Sequence, residues 1–207
     1  MRLFLTLCLA VLFVSMAWGQ SNFKPGYIIL NSNDTVRGEI EYGNWAINPE
    51  NITFRDAGTQ QNYTVSLLKG FEITNEAQFV RFHLSYQLSA ATLADAQESF
   101  DGPVVTKDAW LRLLYKSKYS LYELNTPKRK YFFVQSDRDG LKELIYRVRI
   151  SGGALQADEQ YKNLLALYAS ENNDSPNFQK QLEASGYVDK ELIHLFDLLN
   201  NGKNSFK

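Results

Sequence analysis

The sequence predicts an α+β protein: an antiparallel, β-rich N-terminal and central part, built as a hairpin plus a meander, followed by a small C-terminal helical segment. Three observations predict it. Apolar residues alternate with polar ones along short runs bounded by turn formers, as with Val36, Gly38, Ile40 and Tyr42 against Arg37, Glu39 and Glu41. Aromatic residues make up 14% of the chain, with 12 Tyr and 13 Phe, and such side chains suit a half-buried pleated surface. From Ala157 the apolar spacing changes to a helical one, through Tyr161, Leu164, Leu165 and Tyr168.

The chain opens with Arg2 and an apolar run over residues 3–17, broken only by Thr6 and Ser15. Ala17-Trp18-Gly19 then supplies a small-x-small cleavage pattern, so residues 1–19 read as a signal peptide with Gln20 as the mature N-terminus. The run is shorter than the ~20 residues of a membrane span, and no transmembrane segment is expected after cleavage. Residues 20–150 are expected to form the β-rich domain, in two strand blocks at 26–88 and 109–150, with helices over 154–202.

In the first block, runs at 27–30 and 36–42 flank the turn-forming cluster 31–35, with Gly38 and Gly43 expected to serve the backbone. Residues 44–50 read as a connection, in which Pro49 biases Asn48 away from helix. A strand pair at 52–55 and 63–65 is joined by a turn over 56–60. Gly70 ends a short break and is able to take a left-handed conformation. Strands at 71–74 and 79–88 follow; the latter sets Val80, Phe82, Leu84, Tyr86 and Leu88 on one face. Residues 89–107 read as a loop with a helical turn at 90–96. The second block offers strands at 110–115, 120–124, 131–135 and 144–150, whose short turns imply a meander. Ser151-Gly152-Gly153 reads as a linker. Ser175-Pro176 starts a helix that Gly186 closes. Asp189 is the expected N-cap of the last helix, with Val188 and Ile193 as its hydrophobic staple. Leu192, Phe196 and Leu199 carry the apolar stripe to Gly202, and so small a helical tail must pack on the sheet or on a partner.

Composition excludes several functions. A net charge of −1 gives no electrostatic grip on nucleic acid or an anionic membrane. The only cysteine, Cys8, lies inside the apolar run, too early and without the small residues a lipoprotein junction needs. The mature chain therefore has no disulfide, thiol chemistry or cysteine–zinc site. Export without disulfides fits a bacterial envelope, with the periplasm or the outer membrane as the location.

The chemical motifs are sparse, and no cofactor is expected. His83 and His194 stand far apart without a second ligand at metal spacing. Aligning Gly140 of Asp137-x-Asp139-Gly140 with a calcium-loop glycine puts Gln135 and Tyr146 at ligand positions, so a hairpin turn fits better. Gly-x-Ser-x-Gly and Walker-type sequences are absent. Glu39, Glu41, Asp95 and Glu98 are plentiful carboxylates that sequence alone does not bring together. Lys128-Arg129-Lys130 beside Tyr131 reads as a charged turn leading into a core strand. Trp45, Trp110 and Tyr42 are the candidate ligand or partner contacts, with core packing the stronger reading for the two tryptophans. The sequons at Asn33, Asn51, Asn62 and Asn173 are incidental in a bacterium.

Gly26-Tyr27-Ile28-Ile29, Asn33-Asp34-Thr35-Val36-Arg37-Gly38-Glu39-Ile40-Glu41-Tyr42, Asn44-Trp45 with Asn48-Pro49, and Leu68-Lys69-Gly70-Phe71 follow in order. The second block continues with Trp110-Leu111-Arg112-Leu113-Leu114, Ser120-Leu121-Tyr122, Tyr131-Phe132-Phe133 and Leu144-Ile145-Tyr146. Together they resemble a group of uncharacterised exported envelope proteins of Bacteroidota. Longer members of that group continue into an outer-membrane barrel. The resemblance implies a β domain followed by helices and brings no activity. One departure stands at Lys116-Ser117-Lys118, where relatives tend to carry a glycine-bearing turn. The function expected is a non-enzymatic structural or protein-interaction module with an envelope or outer-membrane protein as partner. The alternatives are a small-ligand or glycan binder using an aromatic sheet face and, more weakly, a hydrolase whose carboxylates meet only in the fold.

Overall fold

The computed structural model describes residues 22–90, 96, 98, 100, 102–172 and 176–201. The expected signal peptide, most of the helical turn expected at 90–96, Ser175 and Gly202 lie outside the described residues. β1 (Phe23–Leu30), β2 (Thr35–Glu41), β3 (Asn51–Asp56), β4 (Thr59–Thr64), β5 (Leu68–Ile73) and β6 (Ala77–Gln87) come from the first strand block. β7 (Val104–Tyr115), β8 (Ser120–Asn125), β9 (Lys130–Ser136) and β10 (Gly140–Leu144) come from the second. All ten form one antiparallel sheet in the order β10-β9-β8-β7-β6-β5-β1-β2-β3-β4, so the two blocks are continuous. The chain runs outward from β1 to β4 and returns to the middle at β5, which leaves β4 and β10 at the edges.

Close backbone approach explains two glycines. A Cβ on Gly38 would stand 2.5 Å from the Phe54 ring and 2.4 Å from the Arg55 carbonyl. The short break expected to end at Gly70 is strand instead; Gly70 lies inside β5, where a Cβ would meet the Phe79 carbonyl at 2.5 Å. Gly43 meets nothing nearer than the Trp45 ring at 3.8 Å, so packing does not require it. The turn expected over 56–60 shrinks to Ala57 and Gly58, with φ of 44° and 85°, a primed hairpin turn that lets β4 start at Thr59.

Four further expectations are corrected. The loop expected to reach Lys107 ends earlier, because β7 starts at Val104 and pairs with β6 from Gln87↔Val104 onward. Its first residues form a polar ladder, Ser85–Thr106 at 2.7 Å and His83–Asp108 at 2.8 Å, so apolar alternation gives no signal there. The single strand expected at 144–150 is two pieces: β10 ends at Leu144, and β11 (Arg147–Ser151) pairs with β12 (Ala154–Asp158) in a separate small sheet. Gly152 and Gly153, with φ of 60° and 78°, form the tight turn between them rather than a linker. Ala157 is thus a strand residue opposite Val148, and the helices begin at Gln160 rather than 154.

The helices are α1 (Gln160–Asn172), α2 (Pro176–Ala184) and α3 (Asp189–Asn201). Tyr161, Leu165, Tyr168, Phe178, Leu182, Leu192, Phe196 and Leu199 all turn inward onto Leu121, Phe132, Val134 and Leu144 of the sheet. The apolar stripe is therefore covered by the chain itself. Val188 is 50% exposed, and its carbonyl accepts the Leu192 N–H at 3.0 Å as α3 opens. Asp189 is the first residue of α3 and sends its carboxylate to Lys130 rather than capping. α2 ends at Ala184 and Gly186 lies in the break before α3, as expected; its φ is not left-handed, and its N–H donates to the Glu191 carboxylate.

Pairing registers fix which residues share a sheet face. One face carries Ile28, Ile40, Phe71, Phe79 and Trp110 toward the N-terminal half and Leu121, Phe132 and Val134 under the helices. The opposite face is polar over β1–β5, with Tyr27 donating to Glu72 at 2.7 Å and Arg55 to Glu39 at 2.6 Å. Over β6–β10 that same face becomes apolar. Phe82 meets Tyr122 at 4.9 Å and Tyr86 meets Tyr131 at 4.6 Å between ring centroids. Those rings sit on strands two and three positions apart. At ~4.8 Å per strand a flat sheet would keep them separated, so the sheet is concave there.

Candidate functional site

The three aromatic candidates gather in one core without surrounding an opening. Tyr42 is 7% exposed and Trp110 0%. Half-buried Trp45 stands edge-on to Tyr42 at 5.1 Å and to Phe71 and Phe79 at 5.9 Å. Phe71 meets Trp110 at 4.9 Å, and the Trp110 indole N–H reaches the Leu68 carbonyl at 3.4 Å. Edge-on packing of this kind stabilises a core.

Asn48 fastens the connection between β2 and β3 onto the central strands. Its Nδ2 donates to the carbonyls of Trp110 at 2.7 Å and Glu123 at 3.1 Å. Its Oδ1 accepts the Asn125 N–H at 2.9 Å, and its own N–H reaches the Asn125 carbonyl at 3.0 Å. An extended backbone before Pro49 presents both ends of the amide in this way. A shallow cleft of about 320 Å³ lies alongside, bordered by Asn48, Glu50, Ser66, Lys107 and Leu124, with Trp110 beneath its floor. The Lys107 ammonium stands 3.4 Å from Glu50 within it.

Two carboxylates, one buried and one half-buried, attract attention as chemistry. The Glu123 side chain is 2% exposed and 3.0 Å from the Lys130 ammonium, which also meets Asp189 of α3. Burial raises the Glu123 pKa against the opposing pull of Lys130. Burial works to lower Lys130, yet the hydrogen bonds it donates to Asp189 and Glu123 outweigh it and raise the ammonium pKa. Asp189 is lowered, because Lys130 outweighs its partial burial. Glu143 is raised by burial too, with Arg147 and Arg129 opposing. Glu123 faces Phe132 across the ladder, whereas Glu143 faces Phe133, which lies on the other side of the sheet. The two carboxyls do not converge.

Of the remaining sequence candidates, Asp95 lies outside the described residues. His83 and His194 are exposed, and the described residues hold no group of three or more His, Cys, Asp or Glu fit for a metal. Asp137, Arg138 and Asp139 form the β9–β10 turn, with the Asp139 N–H on the Ser136 hydroxyl at 3.2 Å. Arg129 is spent within the molecule, reaching the Tyr146 carbonyl at 2.9 Å and the Ser89 hydroxyl at 3.0 Å while lying over Tyr131 at 4.6 Å. No helix among the described residues is long and apolar enough to cross a membrane.

The two sheet edges differ. β10 carries Lys142 and Glu143 and has α1 packed beside it, with Tyr161 N–H bonded to the Ile145 carbonyl just past its end. β4 reads Thr-Gln-Gln-Asn-Tyr-Thr, without charge or proline, and five of its six residues are exposed. The two-residue turn makes Asp56↔Thr59 a hydrogen-bonded pair. Alternation then gives Phe54↔Gln61 and Ile52↔Tyr63 the remaining internal bonds. The N–H and C=O groups of Gln60 and Asn62, and the Thr64 N–H, point out of the sheet. The Thr64 carbonyl already accepts from Leu67 at 3.0 Å. Natural edges are usually blunted by lysine, proline or a covering element, and β4 has none of these devices among the described residues. Sequence reading missed this edge because a polar six-residue strand has no apolar period; the Ala57-Gly58 turn was its one signal.

Comparison with protein-family models, with curated proteins and with solved structures found no match to this chain.

Proposed function

We propose that this is a non-enzymatic protein of a bacterial envelope that holds another envelope protein by strand addition along β4. The open, uncharged β4 edge carries the reading. Strand addition draws affinity from main-chain hydrogen bonds and specificity from alternate side chains, and Gln60 and Asn62 offer complete N–H and C=O pairs for it. The apolar signal-like N-terminus, the cysteine-free mature chain and the resemblance to exported Bacteroidota proteins support the location, in the periplasm or on the outer membrane. The glycan-binding alternative is disfavoured by the core positions of Tyr42 and Trp110, and the hydrolase by carboxyls on opposite sheet faces.

The test is crosslinking in the native envelope from a photoreactive group at Gln60, followed by pull-down. The chain is expected to capture a discrete partner. Asn62→Pro removes only an outward N–H and is expected to lose the capture while keeping the wild-type melting temperature. Capture undiminished by Asn62→Pro, or a glycan array that lights up while no protein is recovered, overturns the reading.

A further inference from the structure

We infer that, unless another protein occupies the edge, β4 pairs with β4 of a second copy of this chain, antiparallel about a twofold axis at Asn62. The inference rests on β4 being the recognition edge and names one occupant for it. An isologous contact brings each residue against its own symmetry mate or its reflection, so a charged edge strand repels itself. β4 contains no charge to repel. Its outward-pointing residues are Gln60, Asn62 and Thr64, evenly spaced, and antiparallel pairing centred on Asn62 sets Gln60 against Thr64 of the other copy and Asn62 against Asn62. Gln61 and Tyr63, on the face that packs on Phe54 and Ile52, come opposite each other in the same register. Every side chain in the contact is an amide, a hydroxyl or a phenol, groups that donate and accept toward their own kind.

A contact of one short strand per copy is small beside the ~1,200 Å² or more of stable complexes. The pairing is accordingly weak and concentration-dependent, and it leaves the edge available to a better partner.

Sedimentation velocity of the mature chain over a wide concentration range tests this, together with cysteine crosslinking. The only natural cysteine is Cys8, so the chain from Gln20 onward provides a cysteine-free background. The wild type is expected to sediment faster as concentration rises, and Asn62→Pro and Asn62→Lys to remain monomeric. Under mild oxidation Asn62→Cys is expected to crosslink to itself in high yield. Gln60→Cys is not, because its mate lies four residues away along the strand, roughly 13 Å at ~3.3 Å per residue, beyond disulfide reach. A wild type that stays monomeric throughout, or equal crosslinking at both positions, overturns the self-pairing. If Asn62→Pro still abolishes capture of an envelope partner in that case, only this inference falls and the β4 reading stands. If neither measurement responds to Asn62→Pro, both fall.

Discussion

Replacing Asn48 by alanine tests how the N-terminal half of the sheet is closed. The substitution removes three hydrogen bonds, to the Trp110 and Glu123 carbonyls and from the Asn125 N–H, and spares the main-chain bond to Asn125. At ~1 kcal/mol net for each bond the loss is about 3 kcal/mol. Asn48 borders the open cleft, so water replaces part of the lost bonding and holds the cost near that figure. In a chain of this size ~1 kcal/mol moves the melting temperature by ~2–4 °C, which gives a drop of roughly 6–12 °C. Urea unfolding followed by circular dichroism reads the same loss as a lower midpoint with an unchanged slope. Asn48→Asp sharpens the test. A carboxylate still accepts from Asn125 but faces two carbonyl oxygens that it cannot donate to. Its folded pKa is therefore raised above the ~3.9 of an unfolded aspartate, and its penalty is present above the folded pKa and relieved as pH falls through it. A loss below ~0.5 kcal/mol for alanine, or an aspartate variant no worse than alanine at neutral pH, refutes the assigned geometry.

Other substitutions test neighbouring parts of the account. Lys130→Met leaves Glu123 buried without its cation; Lys130 is 40% exposed, so the expected cost is about 2–3 kcal/mol rather than the full value for a dry pair. Glu123 already has a raised pKa, so the variant's deficit should shrink as pH falls through the folded value, and equal urea-midpoint deficits at acid and neutral pH contradict the assignment. Gly38→Ala drives a Cβ into the Phe54 ring and the Arg55 carbonyl and should cost ~1–3 kcal/mol. Gly43→Ala, whose nearest contact is 3.8 Å, should stay within ~0.5 kcal/mol in the same melting assay.

Much of the fold was legible because burial left a period in the sequence. The alternation of Val80 through Leu88 and the stripe of Leu192, Phe196 and Leu199 both mark faces that are buried in the structure. Legibility failed where polar pairing replaced burial. Val104 to Asp108 extend β7 through a Ser–Thr and His–Asp ladder, and β4 is held by its turn and main-chain bonds, so neither has an apolar rhythm. It failed again where local signals competed. Ala157 fits a helical spacing with Tyr161, yet the Gly152-Gly153 turn folds it against Val148. Gly70 looked like a chain break and is instead a strand residue under a neighbouring carbonyl. The candidate site was the least legible part. Trp45, Trp110 and Tyr42 drew notice as large rings, which is why they fill the core. Asn48 showed only its proline-adjacent backbone bias, although its amide joins elements more than 60 residues apart.

The strand-addition claim is tested most directly by amide exchange along β4, read residue by residue by NMR, with residues 20–207 alone and then with the captured partner. In dilute protein the outward N–H groups of Gln60, Asn62 and Thr64 should exchange fast and those of Gln61 and Tyr63 slowly. On binding, protection should rise at Gln60 and Asn62 and leave Gln61 and Tyr63 little changed, the every-other-residue pattern of an added strand. Protection that appears elsewhere while Gln60 and Asn62 keep exchanging freely contradicts the claim.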